Sequence, residues 1–327
     1  MLNLPERPRR NRKNPVVRGF AQETFLTPQH LVLPLFIHPG QGNTAIASMP
    51  GCERLDLDGM LREVEGAMSE GVRAFDLFPA IPESYKTPGA EEAWNPEGLV
   101  PTAIRAVKAR FPEALVITDV ALDPYNSDGH DGLVRDGKIL NDETVELLCK
   151  QALCHARAGA DVISPSDMMD GRIGAIRGAL DAEGFTDTSL LSYCVKYASA
   201  FYNPFRDALD SAPRFGDKKT YQMDPGNVRE GLRELALDEA EGADIVMVKP
   251  ATFFLDVIRM VRENTTLPVA AYHVSGEYAM IKAAALNGWL DERRVVMEAL
   301  TCIRRAGADV IFTYYARQAA RWMQEGR

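Results

Sequence analysis

Two lysines lie near the ends of short apolar runs. Lys196 follows the run LLSYCV at 190–195, and Lys249 follows the run IVMV at 245–248. We expect both runs to be buried strands, where a lone ammonium is costly unless it is paired or deprotonated. A deprotonated lysine is a nucleophile suited to forming a Schiff base with a ketone. Two of them indicate an enzyme that handles two carbonyl substrates or holds one substrate at two points. The alternative for Lys249 is a strand-end lysine paired with a carboxylate.

A second group of chemically capable residues lies in an acidic segment after the run LVITDV at 115–120. Its ionisable members are Asp119, Asp123, Asp128, His130 and Asp131. Carboxylate oxygens at this density predict a site for a hard cation such as Mg²⁺. The spacing excludes an EF-hand loop, because its first and twelfth positions would fall on Pro124 and Arg135. The alternative is a solvated turn with side-chain caps.

A third group is cationic and follows the Lys196 run. Residues 200–225 form a long segment that mixes aromatic side chains with cations, and the cations are Arg206, Arg214, Lys218 and Lys219. A long segment after a strand is typical of an active-site lid, and cations on it could hold a substrate carboxylate. The alternative is a solvated charged loop.

The elements that position these groups repeat along the chain. A helix end, a glycine and an apolar strand follow one another at Gly71, Gly159, Gly242 and Gly307, as expected where glycine ends a helix. Further strands are predicted at 31–37, 115–120, 189–196 and 268–274. Helices are predicted near 57–69, 99–110, 142–158, 227–241, 251–264, 277–287 and 292–305. Eight alternating strands predict an α/β fold, a (β/α)8 TIM barrel. The competing doubly wound sheet usually carries a glycine-rich phosphate loop, and neither GxGxxG nor GxxxxGK[ST] occurs here.

The bulk composition bounds the class of protein. The 327 residues carry a net charge of -9, which argues against nonspecific nucleic-acid binding, and no apolar run reaches the ~18 residues of a membrane span. Residues 1–29 are basic and predict an arm outside a single barrel domain at 30–327. No apolar signal core follows the basic residues, and the five cysteines lack CxxC spacing. We therefore expect a reduced, cytoplasmic protein.

Several longer motifs resemble one known family. They are MVKPA at 247–251, SYCVKYAS at 192–199, SPSDMMDGR at 164–172, AYHVSGEYAM at 271–280, FYNPFRDAL at 201–209 and KKTYQMDP at 218–225. The chain resembles the porphobilinogen synthase (5-aminolevulinate dehydratase) family from its basic arm to FTYYA at 312–316. The resemblance implies a TIM barrel with an extended N-terminal arm, assembled as a homo-octamer, with a hexamer as the alternative. It also implies a lyase that condenses two 5-aminolevulinate molecules with loss of two waters, in tetrapyrrole biosynthesis.

The resemblance also implies roles for individual residues. Lys249 forms the Schiff base with the substrate of the propionate side (P side), and Lys196 does so on the acetate side (A side). Arg206, Lys218 and Gln222 match the A-side carboxylate site, and Ser275 and Tyr314 match the P-side one. Further substrate contacts are expected from Phe78, Ser164 and Tyr272. Asp119, Asp123 and Asp131 are expected to transfer protons or bind the substrate ammonium.

Three positions in this chain differ from those of the zinc-dependent members of the family. Zinc-dependent members carry three cysteines where this chain has Ala121, Asp123 and Asp131, so no Zn²⁺ is expected. The chain resembles the magnesium-responsive branch, in which an allosteric Mg²⁺ lies at a subunit interface on the position of Glu234. Whether Asp123 and Asp131 bind an ion stays open, and no organic cofactor is implied. The enzymatic alternative is a class I aldolase-like lyase on the same barrel, and the non-enzymatic one is a metal-binding or assembly protein.

Overall fold

The computed structural model describes residues 4–326, and its centre is a closed barrel of eight parallel strands. The strands are β1 (Leu31–Ile37), β2 (Thr44–Ala45), β3 (Glu53–Leu55), β4 (Ala74–Pro79), β5 (Leu115–Val120), β6 (Leu133–Arg135), β7 (Lys138–Leu140), β8 (Val162–Pro165), β9 (Ser189–Lys196), β10 (Ile245–Lys249), β11 (Val269–His273) and β12 (Val310–Thr313). The barrel order is β1-β4-β5-β8-β9-β10-β11-β12, and pairing of β12 with β1 closes it. The predicted TIM barrel is confirmed.

The barrel strands are buried along nearly their whole length. All seven residues of β1 are buried, and β9 is buried from its second residue to its last. Continuous apolar runs suit strands that are covered on both faces, by helices outside and by other strands' side chains inside. The short strands β2 and β3 extend the sheet beside β1, and β6 and β7 form a separate hairpin after the acidic segment.

Helices connect the strands and cover the barrel. They are α1 (Pro15–Phe20), α2 (Leu57–Ser69), α3 (Leu99–Arg110), α4 (Asn141–Ala158), α5 (Arg172–Ala182), α6 (Asn203–Leu209), α7 (Arg229–Ala240), α8 (Leu255–Asn264), α9 (Ser275–Leu286), α10 (Glu292–Ala306) and α11 (Ala316–Glu325). The seven predicted helices are present, although α8 begins four residues later than predicted. The helices α1, α5, α6 and α11 were not predicted. Within residues 4–326, no helix is long and apolar enough to cross a membrane.

The repeated glycine marks real helix ends. Gly159 follows α4 with φ 104° and its N–H donates to the carbonyl oxygens of the last helical turn. Gly307 takes the same place after α10 with φ 131°. These positive φ angles are strained for side chains with a Cβ, so the glycine in the sequence phrase is required by the backbone.

The segments outside the repeat take different forms. Residues 4–30 hold two short 3₁₀ helices and α1, and the arm's apolar side chains Val16, Phe20 and Phe25 are largely exposed. The predicted lid at 200–225 is not a loop throughout, because α6 occupies its first half. Its second half returns to the barrel mouth, where the Met223 amide donates to the Lys196 carbonyl oxygen at 3.0 Å.

Candidate active site

The structure brings the two lysines together as register partners. In the parallel pair of β9 and β10, Lys196 lies directly opposite Lys249, at the carboxyl ends of both strands. Both side chains enter the barrel mouth beside the Tyr193 ring. The ring centre lies 5.8 Å from Lys196 Nζ and 5.0 Å from Lys249 Nζ. Two amines therefore share one buried site.

Lys249 lies in an aromatic environment. Its Nζ is 4.4 Å from the centre of the Tyr272 ring and 5.2 Å from the centres of the Tyr202 and Phe205 rings. No carboxylate of residues 4–326 lies within ion-pair distance of it. Burial, and secondly the charge of Lys196, lower the pKa of Lys249 to about 7. A large fraction of this lysine is therefore a neutral amine at neutral pH, as a Schiff-base nucleophile requires. The strand-end ion-pair interpretation of Lys249 is wrong.

Lys196 has polar partners instead. Its Nζ donates a short hydrogen bond to the Ser166 carbonyl oxygen and lies 3.5 Å from Asp131 Oδ2. Ser166 follows β8 and Asp131 lies in the segment after β5, so segments that follow two neighbouring strands both reach this nitrogen. The two lysines thus differ in kind, one surrounded by rings and one held by oxygen atoms.

The acidic segment is buried and paired. Lys218 Nζ lies 2.5 Å from Asp131 Oδ1 and 3.3 Å from Asp123 Oδ2, and the Gln222 amide donates to Asp131 Oδ2 at 3.4 Å. Burial raises the pKa of Asp131, but Lys218 and Lys196 outweigh it and hold that pKa below its usual value. Both aspartates are buried, so the solvated-turn alternative is wrong.

Lysines, rather than a ready-made metal cage, surround these carboxylates. Within residues 4–326, no group of three His, Cys, Asp or Glu side chains is placed to hold a metal ion. His130 of the same segment faces away toward the lid. Its ring nitrogens lie 3.1 Å from the Tyr221 hydroxyl and 3.1 Å from the Phe215 carbonyl oxygen.

Asp119 stands at the end of β5 between the two lysines and the acidic segment. Burial raises the pKa of its carboxyl to about 7, against the opposing effect of Lys196. A carboxyl with a pKa near neutrality can both donate and accept a proton at working pH. This arrangement suits the predicted proton-transfer role.

The remaining predicted substrate contacts fall into two sets. One set lines the same small cavity as both lysines, and its members are Phe78, Arg206, Lys218 and Gln222. The other set lies outside that cavity and consists of Ser164, Tyr272, Ser275 and Tyr314. The Tyr272 and Tyr314 hydroxyls lie 3.2 Å apart, and Ser164 donates to the Leu191 carbonyl oxygen. Ser275 Oγ is bound to the lid, accepting from the Phe205 amide at 3.0 Å.

The site is closed. The cavity between the lysines and the lid has a volume of about 30 Å³, which is room for about one water molecule. Phe205 lies over the mouth with its ring 5.1 Å from the Phe78 ring. Sequence reasoning missed Phe205, although its position three residues after Tyr202 in a short helical segment indicates a shared face. It also missed Ser166 and Asp76.

Glu234 lies on α7, away from the lysines. It is half-buried and lines a separate cavity of about 920 Å³ together with Asp170 and Glu230. Burial, and secondly Asp238, raise the pKa of its carboxyl, while Arg172 lowers it. The structure thus places Glu234 among carboxylates but apart from Asp123 and Asp131.

Comparison with known proteins gives the family. The family model described as delta-aminolevulinic acid dehydratase matches residues 5–322. The chain belongs to the delta-aminolevulinic acid dehydratase family. A rice protein named delta-aminolevulinic acid dehydratase, chloroplastic, is 62% identical over 321 residues, which cover 98% of this chain and 75% of that protein. A relative of the same name from Physcomitrium patens is 60% identical over 324 residues, covering 98% and 75%.

A solved structure agrees over the whole chain. It is delta-aminolevulinic acid dehydratase (porphobilinogen synthase) from Toxoplasma gondii ME49 in complex with the reaction product porphobilinogen. The two chains are 56% identical with a TM-score of 0.99, covering 100% of this chain and 94% of that one. The predicted porphobilinogen synthase activity, and with it the lyase class, is confirmed.

The predicted cytoplasmic location is wrong. The curated relatives from rice, Physcomitrium patens and barley are all named chloroplastic. The prediction used the absence of an apolar signal core and of paired cysteines. Those features separate secreted proteins from reduced ones, and a reduced protein need not be cytoplasmic.

Proposed function

We propose that Lys249 forms the Schiff base with the P-side 5-aminolevulinate and Lys196 with the A-side molecule. The observation that supports two Schiff bases at one site is the direct opposition of the two lysines in the β9–β10 register. The assignment of the two sides follows from the family resemblance of MVKPA at 247–251 and SYCVKYAS at 192–199. Two ketones bound to amines on neighbouring strands are held close enough to be joined. Each Schiff base makes its ketone an electron sink, which permits deprotonation beside it and C–C bond formation.

The polar groups around the lysines transfer protons and bind the charged groups of the substrate. Asp119, with its pKa near 7, exchanges protons with the reacting atoms. Asp123 and Asp131 lie on the A side, where they receive the ammonium of that substrate in place of Lys218. Lys218 then turns with Arg206 and Gln222 toward the A-side carboxylate. Net loss of two water molecules accompanies the condensation.

The lid must move for two substrates to bind, because a cavity of about 30 Å³ is too small for them. Opening of 200–225 would release Ser275 from the Phe205 amide and expose it beside Tyr314. These two hydroxyls then bind the P-side carboxylate, with Tyr272, Ser164 and Phe78 lining the pocket. Closure over both imines excludes bulk water.

Borohydride trapping tests the lysine assignment. Wild-type protein is incubated with 5-aminolevulinate, reduced, digested and analysed by peptide mass spectrometry. We expect adducts on both lysines, with rapid labelling of Lys249 at pH 7 because its pKa of about 7 leaves a large fraction of it unprotonated. Lys196→Met should still give the Lys249 adduct but no pyrrole with Ehrlich reagent. Labelling of one lysine only in the wild type would contradict the assignment.

We propose further that Mg²⁺, and not Zn²⁺, supports the enzyme, bound at Glu234 as a regulator. The surroundings of Glu234 are acidic, since Asp238, Asp170 and Glu230 all raise its pKa, and a cation would relieve that repulsion. Within residues 4–326 no three such side chains are placed to ligate a metal ion, so binding would require their rearrangement. Ala121, Asp123 and Asp131 supply no thiolate for zinc. We expect EDTA to lower activity in part or not at all, and Mg²⁺ to restore any loss. Stoichiometric zinc in active protein would contradict this proposal.

We propose a homo-octamer, with a hexamer as the alternative, in which the arm packs on a second copy. The exposed Val16, Phe20 and Phe25 support an arm that finds its apolar contacts outside its own barrel. Native mass spectrometry of the wild type and of Phe20→Ser, with and without Mg²⁺, tests this. A monomeric wild type would refute it.

A further inference from the structure

Asp76 is a buried carboxyl in the barrel interior, and no residue of 4–326 forms an ion pair or a well-formed hydrogen bond with its oxygens. It lies on β4, fully buried. Phe78, two residues further on, lines the cavity of the two lysines. Because alternate residues of a strand share a face, Asp76 points into the barrel one layer below that cavity. The polar side chain is therefore directed at the site from beneath.

The groups around Asp76 do not compensate for the burial of its carboxyl. Neither carboxyl oxygen makes a well-formed hydrogen bond within residues 4–326, and the Tyr193 hydroxyl is also without one. The Leu77 amide and the Tyr193 hydroxyl interact with the carboxyl only weakly. Burial raises the pKa of Asp76 well above its usual value, and Asp119 raises it further while Lys249 lowers it. A buried carboxyl without such partners destabilises the fold. Its presence therefore indicates a functional role.

The chemistry at Lys249 supplies such a reason. Schiff-base formation ends with a positively charged iminium nitrogen among the rings of Tyr193, Tyr202, Phe205 and Tyr272, where no carboxylate forms an ion pair. Asp119 is at the cavity surface, where it faces the substrate. Asp76 lies below, where a negative charge can stabilise the iminium without contacting the substrate.

We propose that Asp76 is a positioning residue that provides the counter-charge for the Lys249 iminium. In the free enzyme, burial favours the neutral acid form of Asp76 and the neutral amine form of Lys249. The amine nitrogen bonds to the ketone carbon, the C–O bond breaks, and the oxygen leaves as water with the two amine hydrogens. The imine nitrogen then gains the proton that Asp76 loses. A carboxylate and an iminium replace two neutral groups, so the net charge of the buried site does not change.

Other groups facing Lys249 share its electrostatic environment and must be considered in the test. They are Asp119 on β5, Tyr193 and Lys196 on β9, Tyr272 on β11, Tyr202 and Phe205 on the lid, and Asp123 of the acidic segment. Tyr314, after β12, contacts the Tyr272 hydroxyl. The three interior tyrosines Tyr193, Tyr272 and Tyr314 have pKa values raised by burial and stay neutral. The charged groups that act on Lys249 are therefore Asp76, Asp119, Asp123 and Lys196.

The variants Asp76→Asn and Asp76→Leu test the proposal, which rests on Lys249 as a Schiff-base former. Borohydride adducts with 5-aminolevulinate are measured from pH 6 to 10, separately at Lys249 and Lys196. Reduction requires the iminium, so the alkaline midpoint of trapping reports its pKa. We expect the Lys249 midpoint to fall by about one pH unit or more in both variants, because a positive charge loses its partner. The Lys196 midpoint should move less.

Thermal stability distinguishes the proposed role from a structural one, because the loss of a structural residue would lower the melting temperature. Replacing a buried unpaired carboxyl by an apolar side chain should raise the melting temperature of Asp76→Leu, while pyrrole formation slows in both variants. Gln151→Leu is the matched control, since Gln151 is buried on α4 and both its amide atoms lack partners. It should raise the melting temperature without changing trapping.

Three results would overturn the proposal: an unchanged Lys249 midpoint in both variants, equal shifts at both lysines, or failure of both variants to fold. Failure to trap Lys249 in the wild type would instead refute the lysine assignment itself. The failure of the assignment and the failure of the Asp76 proposal can therefore be told apart.

Discussion

Replacing Lys196 by methionine tests the electrostatic basis of the site. The substitution keeps the length of the side chain and removes one positive charge. The reaction is lost, because the second Schiff base cannot form. The informative quantity is the pKa of the lysine that remains, since Lys196 is the second largest cause of the depressed pKa of Lys249, after burial.

The size of the effect follows from the geometry. The two nitrogens lie 5.8 Å and 5.0 Å from the centre of one ring, so they are at most about 11 Å apart. Two unit charges at that distance repel by about 1.5 kcal/mol at an effective dielectric constant of about 20. That energy corresponds to about one pH unit. The pKa of Lys249 should rise from about 7 to roughly 8. At pH 7, its neutral fraction then falls about fivefold.

The assay uses a ketone that can form a Schiff base but cannot complete the condensation. 4-Oxopentanoate meets this requirement, because it lacks the amino group of the substrate. The initial rate of borohydride-trapped adduct at Lys249 is measured from pH 5.5 to 9.5. Wild type should show a midpoint near 7 and Lys196→Met a midpoint about one unit higher.

Lys108→Met is the control, because Lys108 pairs with Asp161 at 3.0 Å outside the site. It should leave the midpoint of Lys249 unchanged. A midpoint that stays at 7 or moves down in Lys196→Met would show that burial alone sets the pKa, and the paired-lysine reasoning would be refuted.

Three further predictions concern the surrounding groups. Lys218→Met should lower the free energy of unfolding in urea by about 3 kcal/mol, because it leaves Asp123 buried without its cation and Asp131 with Lys196 alone; Lys218→Arg should retain most of the stability. Asp119→Asn should reduce kcat by about 10²-fold or more while the Lys249 adduct still forms, and an unchanged kcat would exclude proton transfer by Asp119. Burial lowers the pKa of His155 to about 3, so its contribution to stability is present above its unfolded pKa of about 6.5 and is lost as pH falls. The wild type should therefore lose about 3 kcal/mol of folding free energy through this histidine between pH 7 and pH 4.5. The melting temperatures of wild type and His155→Gln should converge over that range.

The barrel could be predicted because its signals are local. A glycine such as Gly159 ends a helix through its own backbone geometry, and the apolar run after it is buried in any arrangement of the strands. The helix α5 (Arg172–Ala182) was missed for the converse reason. Its sequence RIGAIRGALDA contains two glycines, which disfavour a helix, and it is helical because it packs on α4 and buries Ile173 and Ile176.

For the candidate site too, the sequence indicated the local features and missed those that depend on tertiary contacts. Strand-end position and residue type identified both lysines and Asp119 as reactive groups. The sequence did not indicate the pairing of Lys218 with Asp131, because 87 residues separate them along the chain. The same holds for the Ser166 carbonyl that accepts from Lys196, since a backbone oxygen has no residue type to mark it.

The sequence by itself determined which groups can react and on which kind of scaffold they are held. Apolar periodicity, glycine positions and side-chain chemistry are properties of short stretches of chain, and they persist in any compact fold. Only the tertiary structure decided how the two lysines differ. The register of β9 and β10 sets Lys196 opposite Lys249, but one nitrogen meets oxygen atoms and the other meets aromatic rings. A pKa depends on burial and on charges a few ångströms away, and the chain brings those groups together only when it closes into a barrel.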